Sequence, residues 1–276
     1  MVIIFSGCAG TNYTTKNISE VNWQGAKTTR LALLPNVKNE VQMGYGVDAF
    51  VQQNFVLLDD PQLTQKLNQI GNRLLSSSNK RGIAYRFKIV NHNDLNAFSA
   101  PGGFVYITYG LLRLAQKEDE VAGILAHEIA HVEFRHQMKV LRTQQAAALL
   151  LGGASLGLNA FGGQTSARAL ETVGPIAMLV SLNTFSRTQE TQADDYAIYL
   201  MIHAGYDPKS LAQILRRLYL EKDRKGELSK LPSIFVSHPP TPERIQRITS
   251  KTEQIGTQNP IAKPYLAVDK GEISHE

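Results

Sequence analysis

His127-Glu128-Ile129-Ala130-His131 is the stretch on which the reading of this chain turns. It lies in a run from Glu118 to about Thr143 in which Val121, Ile124, Leu125 and Val132 recur at helical spacing. Glu118, Asp119 and Glu120 stand in its first turn, where the helix dipole favours anions. On a helix, positions i and i+4 share one face a turn apart, so both imidazoles can converge on one tetrahedral Zn²⁺. Glu128, beside the first imidazole, is placed to polarise the water such an ion activates. A catalytic zinc also needs a third protein ligand and an open position. No third histidine follows at the metzincin spacing. The best available ligand is Glu190, in Arg187-Thr-Gln-Glu190-Thr-Gln-Ala-Asp194. Glu190 and Asp194 form a second i, i+4 pair on a helix predicted from Arg187 to His203 that stops at Gly205. One carboxylate on the ion and another holding a ligand histidine's N–H would complete the arrangement.

The rest of the chain is consistent with one large domain around this pair. Of 276 residues, 43% are hydrophobic and 19% charged, with 21 Gly and 11 Pro, which excludes a disordered chain and a fibrous repeat. Cys8 is the one cysteine, so an internal disulfide and a cysteine-built zinc site are both excluded. The net charge of +5 is spread over short runs such as Lys80-Arg81 and Arg216-Arg217, which is no nucleic-acid stripe.

A helix is expected over 61–75, with Leu63, Leu67, Ile70 and Leu74 on one face and Pro61 in its first turn. Strands are expected at Arg86–Asn91 and Gly103–Thr108, separated by a loop containing Pro101-Gly102-Gly103. Further helices are expected from Pro208 to Lys222, and from Thr241 (N-cap) and Pro242 (N1) to about Ser250. Residues 146–182 read as two buried helices or an apolar flap, each apolar piece being short of the ~20 residues that span a bilayer.

Several separated stretches, in order, are similar to one family. His127-Glu-x-x-His131 with Glu190-x-x-x-Asp194 resembles the gluzincin zinc metallopeptidases that include the CAAX prenyl proteases, the HtpX-type proteases and the periplasmic β-barrel assembly-enhancing protease. So do Asn96-Ala97-Phe98-Ser99-Ala100-Pro101-Gly102-Gly103-Phe104-Val105-Tyr106 and Ser237-His238-Pro239-Pro240-Thr241-Pro242-Glu243-Arg244. The chain lacks four long apolar spans, and so is most similar to the small lipoprotein members.

The resemblance implies an α+β, mostly helical, zincin-like catalytic domain with a small β-sheet whose edge strand lines the cleft. It implies His127, His131 and Glu190 as ligands of one Zn²⁺, Glu128 as general base and Asp194 as the group orienting a ligand histidine. Gly103–Thr108 is then the edge strand, and Asn96, Ala97, Gly103, Phe104, Val105 and Tyr106 face substrate. His238 lies near the zinc, stabilising the oxyanion or plugging the open position, and Arg244 anchors that loop or the site. His136, five residues past His131, is expected to face elsewhere and, with His92, His203 and His275, to be structural or solvated.

The N-terminus extends this picture. An apolar run ending in Ser6-Gly7-Cys8 resembles the end of a bacterial lipoprotein signal with Cys8 as the lipidated residue. Residues 1–8 are then signal and anchor, 9–35 a tether, 36–250 the peptidase domain and 251–276 a tail. The function expected is a zinc-dependent metalloendopeptidase hydrolysing unfolded or misassembled cell-envelope proteins, held by lipid at the periplasmic face of the outer membrane near its assembly machinery. The alternatives are a chaperone or scaffold with a plugged zinc site, and a dedicated processing peptidase or aminopeptidase.

Overall fold

A computed structural model describes residues 37–76, 82–141, 143, 185–221 and 237–258. Cys8, the tether, residues 146–182 and residues 259–276 lie outside the described residues. Helices α1 (Val37–Asn54) and α2 (Pro61–Leu75) come first, then strands β1 (Arg86–Val90), β2 (Ala97–Ala100) and β3 (Phe104–Thr108). They are followed by α3 (Tyr109–Leu114), α4 (Glu118–Glu133), α5 (Arg187–His203), α6 (Lys209–Glu221) and α7 (Pro242–Gln258). The α+β, mostly helical architecture is the expected one.

The local signals explain most of these boundaries. Asp60 accepts from the Leu63 N–H at 2.9 Å ahead of Pro61, and Ser186 with Gln189 forms a capping box at the start of α5. Thr241 accepts from the Arg244 N–H at 3.3 Å, so Thr241 caps α7 as expected, although the helix continues past Ser250 to Gln258. Three elements escape the pattern reading: α1, which carries Gly44 and Gly46; the four-residue β2; and the short α3.

The sheet order is β1-β3-β2, with β1 parallel and β2 antiparallel to β3. This corrects the expectation for Gly103–Thr108. That strand is the central one, hydrogen-bonded on both sides, and offers no edge to a peptide. The edge strand beside the histidine helix is β2. Gly102 (φ 78°) and Gly103 (φ 94°) make the tight left-handed turn that brings β3 back against it.

Alternation gives the sheet two buried faces. Phe87, Ile89, Ala97, Val105 and Ile107 join the main core with α2 and α4. Val90, Phe98, Ala100, Phe104 and Tyr106 pack instead with Val47 and Val51 of α1. Phe104 and Tyr106, expected at substrate, therefore point away from α4. The Tyr106 hydroxyl donates to Asp48 Oδ1 at 2.7 Å, and burial with that carboxylate raises its pKa.

Beyond Glu133 the helix breaks. Arg135 takes a left-handed conformation (φ 56°), rare for a residue with a Cβ, and helix resumes over 136–141. The Arg135 guanidinium pairs with Glu40 of α1, both almost fully buried, so this bend is tied to the first helix.

Helix α1 approaches the β2–β3 turn through Gly44, where a Cβ would lie 2.2 Å from the Pro101 carbonyl oxygen and 2.6 Å from the Phe104 ring. Backbone cannot yield as a flexible side chain does. Gly44→Ala is expected to cost about 1–3 kcal/mol, read as a lowered midpoint in thermal denaturation. An unchanged midpoint would show that α1 does not pack as described.

Candidate metal centre

Helix α4 presents His127 and His131 on one face, α5 brings Glu190 opposite them, and the segment before α7 delivers His238. One ligating atom from each of the four lies within 4.8 Å of the others, and all four residues are buried. His127 Nε2 is 3.0 Å from His131 Nε2 and 3.2 Å from His238 Nδ1. Glu190 Oε1 is 2.9 Å from His238 Nδ1 and 3.3 Å from His131 Nε2. Glu190 Oε2 is 3.4 Å from His127 Nε2. Ring nitrogens and a carboxylate this close to one another suit a shared cation. His238 Nε2 is buried without a hydrogen-bond partner. Three imidazoles and a carboxylate are a donor set that fits a divalent transition metal.

The surrounding charges hold these donors in place. Asp194 Oδ1 is 3.1 Å from His127 Nδ1, within hydrogen-bond reach of that ring. Arg244 grips Asp194 with two N–H groups at 2.9 and 2.6 Å, and its Nη1 is 2.7 Å from Glu190 Oε2. Arg247 reaches Asp194 Oδ2 at 2.7 Å, so α7 is fixed to α5 by two guanidinium groups. Burial alone would raise both carboxyls. Arg244 and the nearby imidazoles outweigh it, holding Asp194 at about 2 and Glu190 well below the usual range. Burial opposes charge on His127, but Glu190 and Asp194 lift it to about 9, whereas burial prevails at His131 and lowers it.

Glu128 is 2% exposed, and its carboxylate lies between Ser99 and His238. The Ser99 hydroxyl donates to Oε2 at 2.8 Å, and His238 Nε2 lies 3.4 Å from Oε1. Gln137 Nε2 donates to Ser99 Oγ at 2.9 Å and to the Ser99 carbonyl at 3.2 Å. Asn96 and Ala97 stand just before these residues. The Asn96 carbonyl accepts from the Thr108 N–H at 2.9 Å, which makes 96–108 a hydrogen-bonded pair and, by alternation, turns the backbone groups of Ala97 and Ser99 outward.

Two residues that sequence reasoning passed over belong here. Ser99 lay inside a quoted motif without a role. His136 was expected to face elsewhere, which the structure corrects: it is fully buried with Nδ1 2.9 Å from His131 Nδ1 and Nε2 3.0 Å from Gln192 Oε1. A continuous helix would put residue i+5 roughly 140° round the axis. The left-handed Arg135 breaks that continuity and returns His136 to His131. Burial lowers the His136 pKa to about 4.

The depressed carboxyls set the acid limit of the fold. In the unfolded chain Asp194 and Glu190 titrate near their ordinary values of ~4. Between that pH and about 2 the unfolded chain binds more protons, so their contribution is present above the window and lost as pH falls through it. The thermal midpoint of the metal-free protein should therefore drop steeply below about pH 4. Asp194→Asn, less stable at neutral pH, should lose part of that slope; a wild-type slope in this variant would exclude Asp194 as the acid-labile group.

Comparison with known proteins places this geometry. The model of peptidase family M48 matches residues 61–252, well over half of the chain. The chain is 30% identical over 225 residues to the beta-barrel assembly-enhancing protease of Escherichia coli (strain K12), covering 80% of this chain and 45% of that protein. It is 29% identical over 187 residues to the mitochondrial metalloendopeptidase OMA1 of Schizosaccharomyces pombe, covering 67% and 52%. It is 24% identical over 248 residues to the metalloprotease YcaL of Escherichia coli (strain K12), covering 90% and 92%. The chain thus spans about half the length of the assembly-enhancing protease it matches. The matched region holds the paired histidines, the facing glutamate and the adjacent Glu128, and the chain belongs to peptidase family M48.

Proposed function

We propose that this chain is a zinc-dependent endopeptidase that cleaves unfolded or misassembled proteins of the bacterial cell envelope. The observation that carries this reading is the buried group His127, His131, Glu190 and His238 with the Glu128 carboxylate against it. His127, His131 and Glu190 would hold Zn²⁺, a nitrogen-and-oxygen set that suits this ion. When bound there, the ion supplies Lewis acidity that polarises the scissile carbonyl and lowers the pKa of the attacking water. Glu128 takes the proton of that water and passes it to the leaving amine. Ser99 holds the carboxylate in line for both transfers through its 2.8 Å hydrogen bond.

An extended substrate would reach the outer edge of β2 by displacing Gln137 from the Ser99 carbonyl and uncovering the buried backbone of Ala97 and Ser99, which could then pair with a peptide strand. No described strand occupies that edge. The envelope assignment is supported by Ser6-Gly7-Cys8 and by the similarity to proteases named for β-barrel assembly. Anchoring by lipid on Cys8, in the outer membrane near its assembly machinery, completes the proposal. Among the described residues no helix is long and apolar enough to cross a membrane.

His238 favours a resting state that is closed. Catalytic zinc sites keep one position open, and His238 is the fourth donor of this group. A substrate therefore gains the site when His238 withdraws. A plugged scaffold is the alternative that this arrangement also accommodates.

Cleavage of an unfolded model protein in the presence of zinc separates these readings. Internal cuts by the wild type, reduced at least ~10²-fold in Glu128→Gln, are the expected result; equal cutting by that variant would sink the mechanism. His238→Ala should cut faster if the histidine is a plug. End trimming in place of internal cuts would move the chain to the exopeptidases. Incorporation of labelled palmitate, lost in Cys8→Ala, is the result expected for the anchor, and labelling that persists in the variant would refute it.

A further inference from the structure

We propose that His136 and Gln192 fix the proton of ligand His131, and so set its metal-binding nitrogen, through a relay of two hydrogen bonds. The inference rests on the metal-site reading above and concerns residues that reading does not use. His131 has two distinct sides. Its Nε2 faces the other donors, 3.0 Å from His127 Nε2 and 3.3 Å from Glu190 Oε1. Its Nδ1 faces the Nδ1 of His136 at 2.9 Å. Two lone pairs cannot share that distance, so one of these nitrogens carries the hydrogen and the other accepts it.

The far end of the relay indicates which. Gln192 Oε1, an acceptor without a hydrogen, stands 3.0 Å from His136 Nε2, which must donate. The neutral His136 ring has then used its one N–H, and its Nδ1 is left as an acceptor. His131 consequently donates from Nδ1, and its Nε2 presents a lone pair to the donor group. The same answer comes from the other end, because a ligating Nε2 requires the hydrogen on Nδ1. The ligand end fixes the direction of the relay on its own, and the Gln192 amide oxygen facing His136 agrees with it.

Packing holds the relay in register. Phe185 stacks on His131 with centroids 4.0 Å apart and planes at 28°, and Phe134 stacks on His136 at 5.7 Å and 24°. The left-handed Arg135 between Phe134 and His136 makes this return possible. The two helix histidines are thereby oriented by different chemistry: His127 by the Asp194 carboxylate, His131 by an uncharged imidazole and amide. A second carboxylate at His131 would add another buried negative charge beside Glu190 and Asp194. A neutral acceptor orients the ring without one.

The test is zinc affinity, measured by competition with a chromophoric chelator on the purified full chain, with circular dichroism to verify folding. His136→Leu should weaken zinc binding about 10–100-fold. His136→Asn puts an amide oxygen where Nδ1 stands and should recover most of that loss. Gln192→Leu, on a half-buried side chain, should fall between wild type and His136→Leu. Wild-type affinity in His136→Leu, or equal loss in the Leu and Asn variants, would overturn the relay, the second outcome showing that packing alone matters.

If the leucine variant does not fold, the zinc-loaded wild type still decides. Its histidine ¹⁵N–¹H spectra should place the His136 hydrogen on Nε2, and a hydrogen on Nδ1 refutes the proposal. A wild type that binds no zinc would remove the metal-site reading and the relay together. An inactive but zinc-tight wild type would count only against the peptidase reading.

Discussion

The close approach of α4 and α5 is the constraint on which this molecule depends. Neither helix can build the site alone, since α4 supplies His127, His131 and Glu128 while α5 supplies the facing carboxylates Glu190 and Asp194. Ala122, Ala126 and Ala130 on α4 and Ala193 and Ala197 on α5 are completely buried, so little side-chain volume keeps the backbones apart. The approach has an electrostatic cost. It buries Glu190 and Asp194 close to Glu128, and buried carboxylates need hydrogen-bonding or charged partners. Arg244 and Arg247 answer that charge from α7, which makes the last helix part of the site's electrostatics as well as of the core. Removing either side of this arrangement leaves the other uncompensated in a medium of low dielectric.

A second consequence follows from where the sheet sits. Its central strand is sealed on both faces and both edges, so β3 acts as a rigid spine and β2 is the strand left to meet the cleft. Ser99 does two things at once in β2. Its side chain holds the Glu128 carboxylate, while its backbone lies on the outward edge. The Glu128 carboxylate and the edge are therefore positioned by one residue, and Gln137 steadies both through its two hydrogen bonds to Ser99.

Much of this was legible in the chain. The i, i+4 histidines and the i, i+4 carboxylates declare their helices and their shared faces, because helical spacing alone puts them there. Pro61, Ser186 and Thr241 mark helix starts through the capping chemistry the structure displays. Strand order was not legible: Gly103–Thr108 has the apolar run of a buried strand, and periodicity says nothing about which neighbours it pairs with. His136 was hidden for a related reason. Helical phase was extended through a residue whose backbone reverses it, and an arginine gives no local sign of a left-handed conformation. Ser99, in a strand the pattern does not show, carries no sign of a role until Glu128 is brought to it across 29 positions.

Arg135 narrows what can stand at its own position. Asparagine and glycine adopt its left-handed backbone with less strain, but neither reaches the Glu40 carboxylate. Lysine reaches with one point of charge where the guanidinium presents a fork. The aliphatic residues do neither. This position is thus caught between a backbone that disfavours any Cβ and a buried acid that demands a long cationic side chain. The fold tolerates local strain at the bend so that a buried ion pair, beside the packing of Met43 on Met138 and Leu141, fastens α1 to the end of the histidine helix.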